Sequence, residues 1–134
     1  EHLEMLSVPV IGYQCDEFPM FYARSSGLPA PLRLDTPEAV AAFVVERLTW
    51  GGGALLGVPV PVVDALASSA IQGAMNGALE RAKAAGISGA AVTPFVLAEI
   101  SKALDGRNIP VNLSLSENNA RVAGQVAAAI SNLG

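Results

Sequence analysis

The sequence is short of charge. Only 15% of its 134 residues are charged, while 51% are hydrophobic; a typical soluble domain carries about 25% charge. Either a membrane or other protein must then cover much of the surface. Long apolar runs are missing as well. A spanning helix needs about 20 consecutive apolar residues, and the best stretches here, 39–45 and 51–63, are short or broken by Gly and Pro. No signal peptide is legible, because Glu1-His2-Leu3-Glu4 is acidic where a basic segment belongs. The composition therefore points away from a membrane and toward absent partner surface, with an ordinary Ala-rich monomer as the alternative.

Other scarcities exclude other classes. Eight Lys and Arg face twelve Asp and Glu, for a net charge of −4. The basic residues are scattered and form no stripe with interleaved aromatics, which excludes nucleic acid as a partner. A single cysteine, Cys15, rules out an internal disulfide and fits a reducing compartment. One cysteine and one histidine cannot build a structural zinc site; His2, at the terminus, reads as a surface residue. Ser25-Ser26 has no base beside it in sequence, so a Ser-His-Asp triad has no support.

What remains is the size of one domain. Glu1 to Leu6 reads as the tail of something upstream. Val8-Pro9-Val10-Ile11-Gly12 reads as a buried strand. Residues 13–34 are rich in Pro, Gly and Ser and hold Phe18, Phe21 and Tyr22, which predicts a long loop with room for short pieces of structure. Asp35-Thr36-Pro37-Glu38 opens a helix, with Asp35 as cap and Glu38 completing a capping box. Trp50 and Gly51-Gly52-Gly53 stop it, and 54–58 reads as a second strand. Three further helices are predicted: one capped by Ser68 or Ser69 and ended by Gly86, one opened by Thr93-Pro94 and ended by Gly106, and one over about Pro110 to Leu133. Apolar strands alternating with helices predict an α/β architecture. Two strands cannot cover so many helices, so the rest of the sheet is expected to come from elsewhere.

Few groups suggest chemistry. The triple glycine lies between a helix and a strand, whereas phosphate cradles lie between a strand and the following helix; it reads as a helix stop. Asp16-Glu17 is a carboxylate pair that serves acid–base work, metal binding or solvation. Cys15 has no nearby His or Lys in sequence to lower its pKa. Thr93 sits at a helix N-terminus, where it either caps or helps to hold an anion. The last helix carries Asn112, Asn119 and Val122 on a single face, with Asn118 at its border. Buried asparagines need partners, so these either tie the helix to neighbouring backbone or reach a ligand in a cleft.

Ordered strings then decide more than any of these. Val8-Pro9-Val10-Ile11-Gly12-Tyr13, Phe18-Pro19-Met20-Phe21-Tyr22, Arg24-Ser25-Ser26-Gly27, Leu32-Arg33-Leu34-Asp35, Pro59-Val60-Pro61, Ala84-Ala85-Gly86-Ile87-Ser88-Gly89, Thr93-Pro94-Phe95-Val96-Leu97-Ala98 and Asn118-Asn119-Ala120 follow one another along nearly the whole chain. Together they resemble the pseudouridine-5′-phosphate glycosidase family, also called indigoidine synthase A-like. The resemblance implies that residues 1–134 are the C-terminal portion of an α/β/α sandwich. Such enzymes cleave pseudouridine 5′-phosphate to uracil and ribose 5-phosphate, using a lysine imine, a proton-moving glutamate and a divalent metal, usually manganese. It further implies a cytoplasmic homo-trimer and places the catalytic and metal residues in the upstream half. Neither Lys83 nor Lys102 matches a catalytic motif. Asn112 carries over as a substrate contact, and the 13–27 loop and Thr93 are expected to line the same cleft. This chain departs from the family pattern at Cys15, Gly57-Val58, Val62-Val63 and Ser116-Glu117. The alternatives are a non-catalytic binding or oligomerisation fragment and a related sugar-phosphate lyase.

Overall fold

The structure, a computed structural model, describes residues 2–133. A four-residue helix α1 (His2–Met5) leads into β1 (Val10–Tyr13), followed by β2 (Leu32–Leu34), α2 (Pro37–Thr49), β3 (Leu55–Gly57), α3 (Ser68–Ala84), α4 (Val92–Ala103) and α5 (Asn108–Leu133). The side chain of His2 lies outside the described residues, so its reading as a surface group has no structural counterpart. The strands form one parallel sheet in the order β2-β1-β3. The α/β expectation holds, with one more strand than the sequence announced. Residues Leu32–Leu34 were read within a loop, yet they pair with Ile11–Tyr13. A three-residue Leu-Arg-Leu flanked by Pro31 and Asp35 is too short to show a period of two.

Pairing puts Ile11 beside Leu32 and Leu56, and Tyr13 beside Leu34, on one face of the sheet. There Tyr13, Val40 and Val122 pack with Leu34, Val44, Leu56 and Val126, which seats α2 and the second half of α5 on the strands. The opposite face carries Gly12 and Gly57, and the 14–31 segment crosses it closely: a Cβ on Gly57 would meet Pro19 Cδ at 3.0 Å. That segment then delivers Tyr22 and Ala23 into a second core with Val60, Ile71, Ala78, Ile100, Val111 and Leu115. One long helix, α5, thus spans both cores.

Helix starts differ from the sequence reading by a residue or more. Thr36, not Asp35, caps α2: its Oγ1 accepts from the Ala39 N–H at 3.2 Å, and Pro37 is first in the helix. Asp35 instead pairs with Arg33, which pulls its carboxylate away from the helix end and dissolves the capping box. Ser68 lies inside α3 and donates to the Ser25 carbonyl, leaving Ala67 as an unassisted cap. Thr93 lies inside the first turn of α4, behind Ala91. Gly51 and Gly86 end α2 and α3 with positive φ, as helix stops do.

Between α3 and α4, the Glu99 carboxylate accepts from Lys102 Nζ at 2.7 Å and from Arg81 Nε at 2.5 Å. These bonds, Lys102 first, hold Glu99 below the ordinary glutamate pKa. A depressed folded pKa adds stability above the unfolded value and loses it as pH falls through the folded one. Acidification through and below the glutamate range will therefore loosen the α3–α4 pair. Melting temperature followed on lowering pH should drop more for the wild type than for Glu99→Gln. Parallel acid limbs would show that the cluster contributes nothing.

Candidate functional site

Ligands of open α/β sheets bind outside the carboxyl ends of the strands, where the connections diverge. Here β1 ends at Tyr13 and Gln14, and β3 runs on into Val58, Pro59 and Pro61. These residues, with Arg24, Asn118 and Arg121, line a cleft of about 360 Å³. Three separate pieces of chain build it. Gln14 takes φ +55° as β1 ends, a conformation few non-glycine residues adopt. Its N–H donates to the Leu34 carbonyl at 3.0 Å and its side-chain amide to the Asp35 carbonyl at 2.8 Å. Strain of this kind gathers at functional sites.

The cleft's polar groups are fixed from behind. Asn118 Nδ2 donates to the Pro59 carbonyl at 3.1 Å, joining α5 to the turn after β3. Its Oδ1 accepts from Arg121 Nη2 at 2.6 Å. Arg24 Nη1 donates to the Val60 carbonyl at 2.5 Å. Among the described residues no carboxylate lines the cleft, so two guanidinium groups give it a positive field within a chain of net charge −4.

The sequence candidates are distributed unevenly. From the 13–27 loop, Tyr13, Gln14 and Arg24 reach the cleft. Thr93 does not. It is exposed and lines a different, apolar cleft of about 320 Å³ with Phe21, Ile71, Val96 and Ile100. Nor do Asn112, Asn119 and Val122 share one face: Val122 is buried, while both asparagines are exposed. The buried stripe of α5 runs through Asn108, Val111, Leu115 and Val122 at heptad-like spacing, and Asn112, one residue past Val111, lies at its exposed edge. Asn118 is the asparagine on the cleft.

Other candidates are used structurally. Asp16 pairs with Arg33, while Glu17 accepts from the Ser25 hydroxyl and the Gly27 N–H, so the two carboxylates face different partners. The Ser25 bond above all holds Glu17 below its usual pKa. Ser26 donates to the Phe18 carbonyl. Burial pushes the Cys15 thiol up, the opposite of an activated nucleophile. Lys102 is engaged by Glu99, and Lys83 is exposed on α3. Among the described residues no three His, Cys, Asp or Glu side chains converge, so the residues present do not by themselves fit a divalent metal.

Sequence reasoning missed Arg121 and Asn108. Arg121 follows Asn118 by three residues, which puts both on one side of α5, but nothing local tells which side faces the strands. Asn108 is buried, with Nδ2 at 3.5 Å from the Tyr22 hydroxyl. Its place three residues before Val111 on the buried stripe was the available signal.

A parallel sheet with helices seated on it and a basic cleft at its carboxyl edge define an open-sheet α/β unit. The family model described as indigoidine synthase A like protein matches residues 1–129. The chain belongs to that family. A pseudouridine-5′-phosphate glycosidase of Methylobacterium nodulans is 48% identical over 132 residues, covering 97% of this chain and 39% of the relative. One of Solibacter usitatus is 44% identical over 129 residues, covering 95% and 43%. In three dimensions the chain is similar to the prealnumycin C-glycosynthase AlnA, solved in complex with ribulose 5-phosphate, with TM-score 0.86, 30% identity and coverage of 98% and 44%. An indigoidine synthase A-like protein of Thermotoga maritima gives TM-score 0.75 at 30% identity, covering 96% and 42%. The chain thus spans about four-tenths of the length of the relatives it matches.

Proposed function

We propose that this chain supplies one wall of the substrate cleft in a pseudouridine-5′-phosphate glycosidase, an enzyme that releases uracil and ribose 5-phosphate. The observation that carries the reading is the basic cleft at the carboxyl ends of β1 and β3 in a chain of this family. Relatives at 44–48% identity bear the glycosidase name, and the C-glycosynthase neighbour holds a sugar phosphate. The imine lysine, the glutamate and a manganese ion are assigned to the remainder of the family-length protein. Binding and orienting the substrate is the part left to these residues. Such positioning is a large share of catalysis, because groups held in reacting geometry escape the entropic cost of meeting.

Assembly as a cytoplasmic homo-trimer belongs to the same proposal. It is supported by exposed apolar side chains, among them Trp50, 81% exposed, and Val63, 91% exposed, which a lone chain would leave in water.

The test is uracil release from pseudouridine 5′-phosphate by a family-length protein carrying these 134 residues. Stoichiometric uracil and ribose 5-phosphate are expected. A folded, metal-supplied protein that releases no uracil would overturn the assignment.

A further inference from the structure

We propose that Asn108 and Tyr22 form a buried latch that fixes the spacing of the cleft's two outer walls. Resting on the glycosidase reading, this makes Asn108 a positioning residue for the reaction, acting through Tyr22.

The latch is where two of the three cleft pieces meet. The 14–31 segment brings Arg24 to the cleft, and α5 brings Asn118 and Arg121. Each piece is tied separately to the turn after β3. Arg24 donates to the Val60 carbonyl at 2.5 Å, and Asn118 to the Pro59 carbonyl at 3.1 Å. Among the described residues, one hydrogen bond joins the segment to α5 directly, from Asn108 Nδ2 to the Tyr22 hydroxyl. It closes a triangle of loop, turn and helix. Both residues are more than nine-tenths buried, at 7% and 4% exposure. The companions of Tyr22 in this core, among them Val60, Ile71, Val111 and Leu115, are apolar. Apolar contacts are non-directional, so they do not fix how far one element slides on the next. A hydrogen bond sets both a length and an angle.

The pair is a poor stabiliser, and a positional role follows from that. Its bond, at 3.5 Å, is at the long end of the range. Asn108 Oδ1 has no partner among the described residues. A half-satisfied buried amide costs stability that an apolar residue of similar volume would not. What a polar pair in a core supplies instead is register. Both ends transmit it. Tyr22 sits in a tight turn, closed by Met20 and Ala23 exchanging backbone bonds at 3.0 and 2.9 Å. Its own carbonyl accepts from the Leu66 N–H at 2.9 Å. Only the buried Ala23 separates it from Arg24. Asn108 is the first residue of α5, and Asn118 lies about 15 Å further along the same helix.

The test measures uracil release and melting temperature of the family-length protein with Asn108→Leu, Tyr22→Phe and both together. Asn108→Leu removes the amide at similar volume, and Tyr22→Phe removes one oxygen. Melting temperature is expected to hold or rise in Asn108→Leu while kcat/KM falls. The fall should be about tenfold in each single variant, since a 1 Å misplacement costs up to about a hundredfold. The double variant should fall no further than either single one, because the residues act as a unit. Amide exchange across residues 18–28 should quicken in every variant, with α2 unchanged. Single variants that release uracil at the wild-type rate sink the latch and keep the glycosidase reading. Losses that multiply in the double variant overturn the latch, as does a rate that falls in step with the melting temperature of Asn108→Leu. Should Asn108→Leu fail to fold, the rate and loop exchange of Tyr22→Phe decide alone. A wild type that releases no uracil sinks the glycosidase reading. Quickened exchange across 18–28 then keeps the latch, and unchanged exchange overturns it.

Discussion

Alanine in place of Gly12 is expected to destabilise the fold by about 2–3 kcal/mol, the upper range for overpacking a core. A Cβ at this position would collide with the Cys15 backbone carbonyl, with Ala30 Cβ at 3.1 Å and Cys15 Sγ at 3.3 Å also in the way. Flexible side chains can yield; a carbonyl at the start of a loop cannot without moving the loop. The strand has nowhere to go either. Gly12 is in the central strand, paired with Arg33 on one side and Gly57 on the other. Opposing this is the entropy that alanine removes from the unfolded chain, about 0.4–1 kcal/mol, which is too small to win. Gly73→Ala and Gly124→Ala are the controls, because their added Cβ atoms meet nothing within 4 Å. Both lie inside helices, where alanine is the better residue by about 1 kcal/mol. Urea unfolding of the three variants should split them in sign. Equal midpoints for Gly12→Ala and the wild type would mean that the 14–31 segment does not lie against the sheet.

Ile71→Ala should cost about 3 kcal/mol, within the range for a buried isoleucine truncated to alanine. Ile71 is fully buried in the core that Tyr22, Val60 and Ile100 share. It is therefore where the aromatic loop, the turn after β3, α3 and α4 all meet. The loss combines transfer of the missing methyl and methylene groups with an unfilled space. Because Val60 anchors Arg24, disturbance here should also reach the cleft. Chemical unfolding measures the first effect, and uracil release by the folded family-length variant measures the second. A stability loss under about 1 kcal/mol would show that the core collapses around the gap.

The helices were the legible part of this fold. Their starts and stops are local, and Pro37, Gly51, Gly86 and Gly106 mark them whatever the surroundings. Caps were legible only to within a residue, because Thr36 and Asp35 offer similar oxygens and the choice between them was made by Arg33, two residues upstream on β2, whose guanidinium takes the Asp35 carboxylate. Strand β2 was not legible as a strand: three residues become one only because β1 offers an edge. The site shows the same division. The 13–27 loop could be singled out by its composition, and Asn118 by its neighbours. That Asn118, rather than Asn112, meets the cleft depends on which face of α5 lands on the sheet. Val111, Leu115 and Val122 settle that together, and reading Val122 with the asparagines turned the helix by about one residue. Arg24 and Arg121 are 97 residues apart in sequence and share a cleft only after folding.

The central claim is that these residues are a cleft wall and need the rest of the family-length protein for chemistry. Uracil release from pseudouridine 5′-phosphate, measured for this chain alone, for the separate remaining segment and for the two mixed with manganese, tests it most directly. The account predicts no release from either part and release from the mixture, reduced when the added chain carries Arg121→Gln. Release by this chain alone, or none from the two folded parts bound to each other, would contradict it.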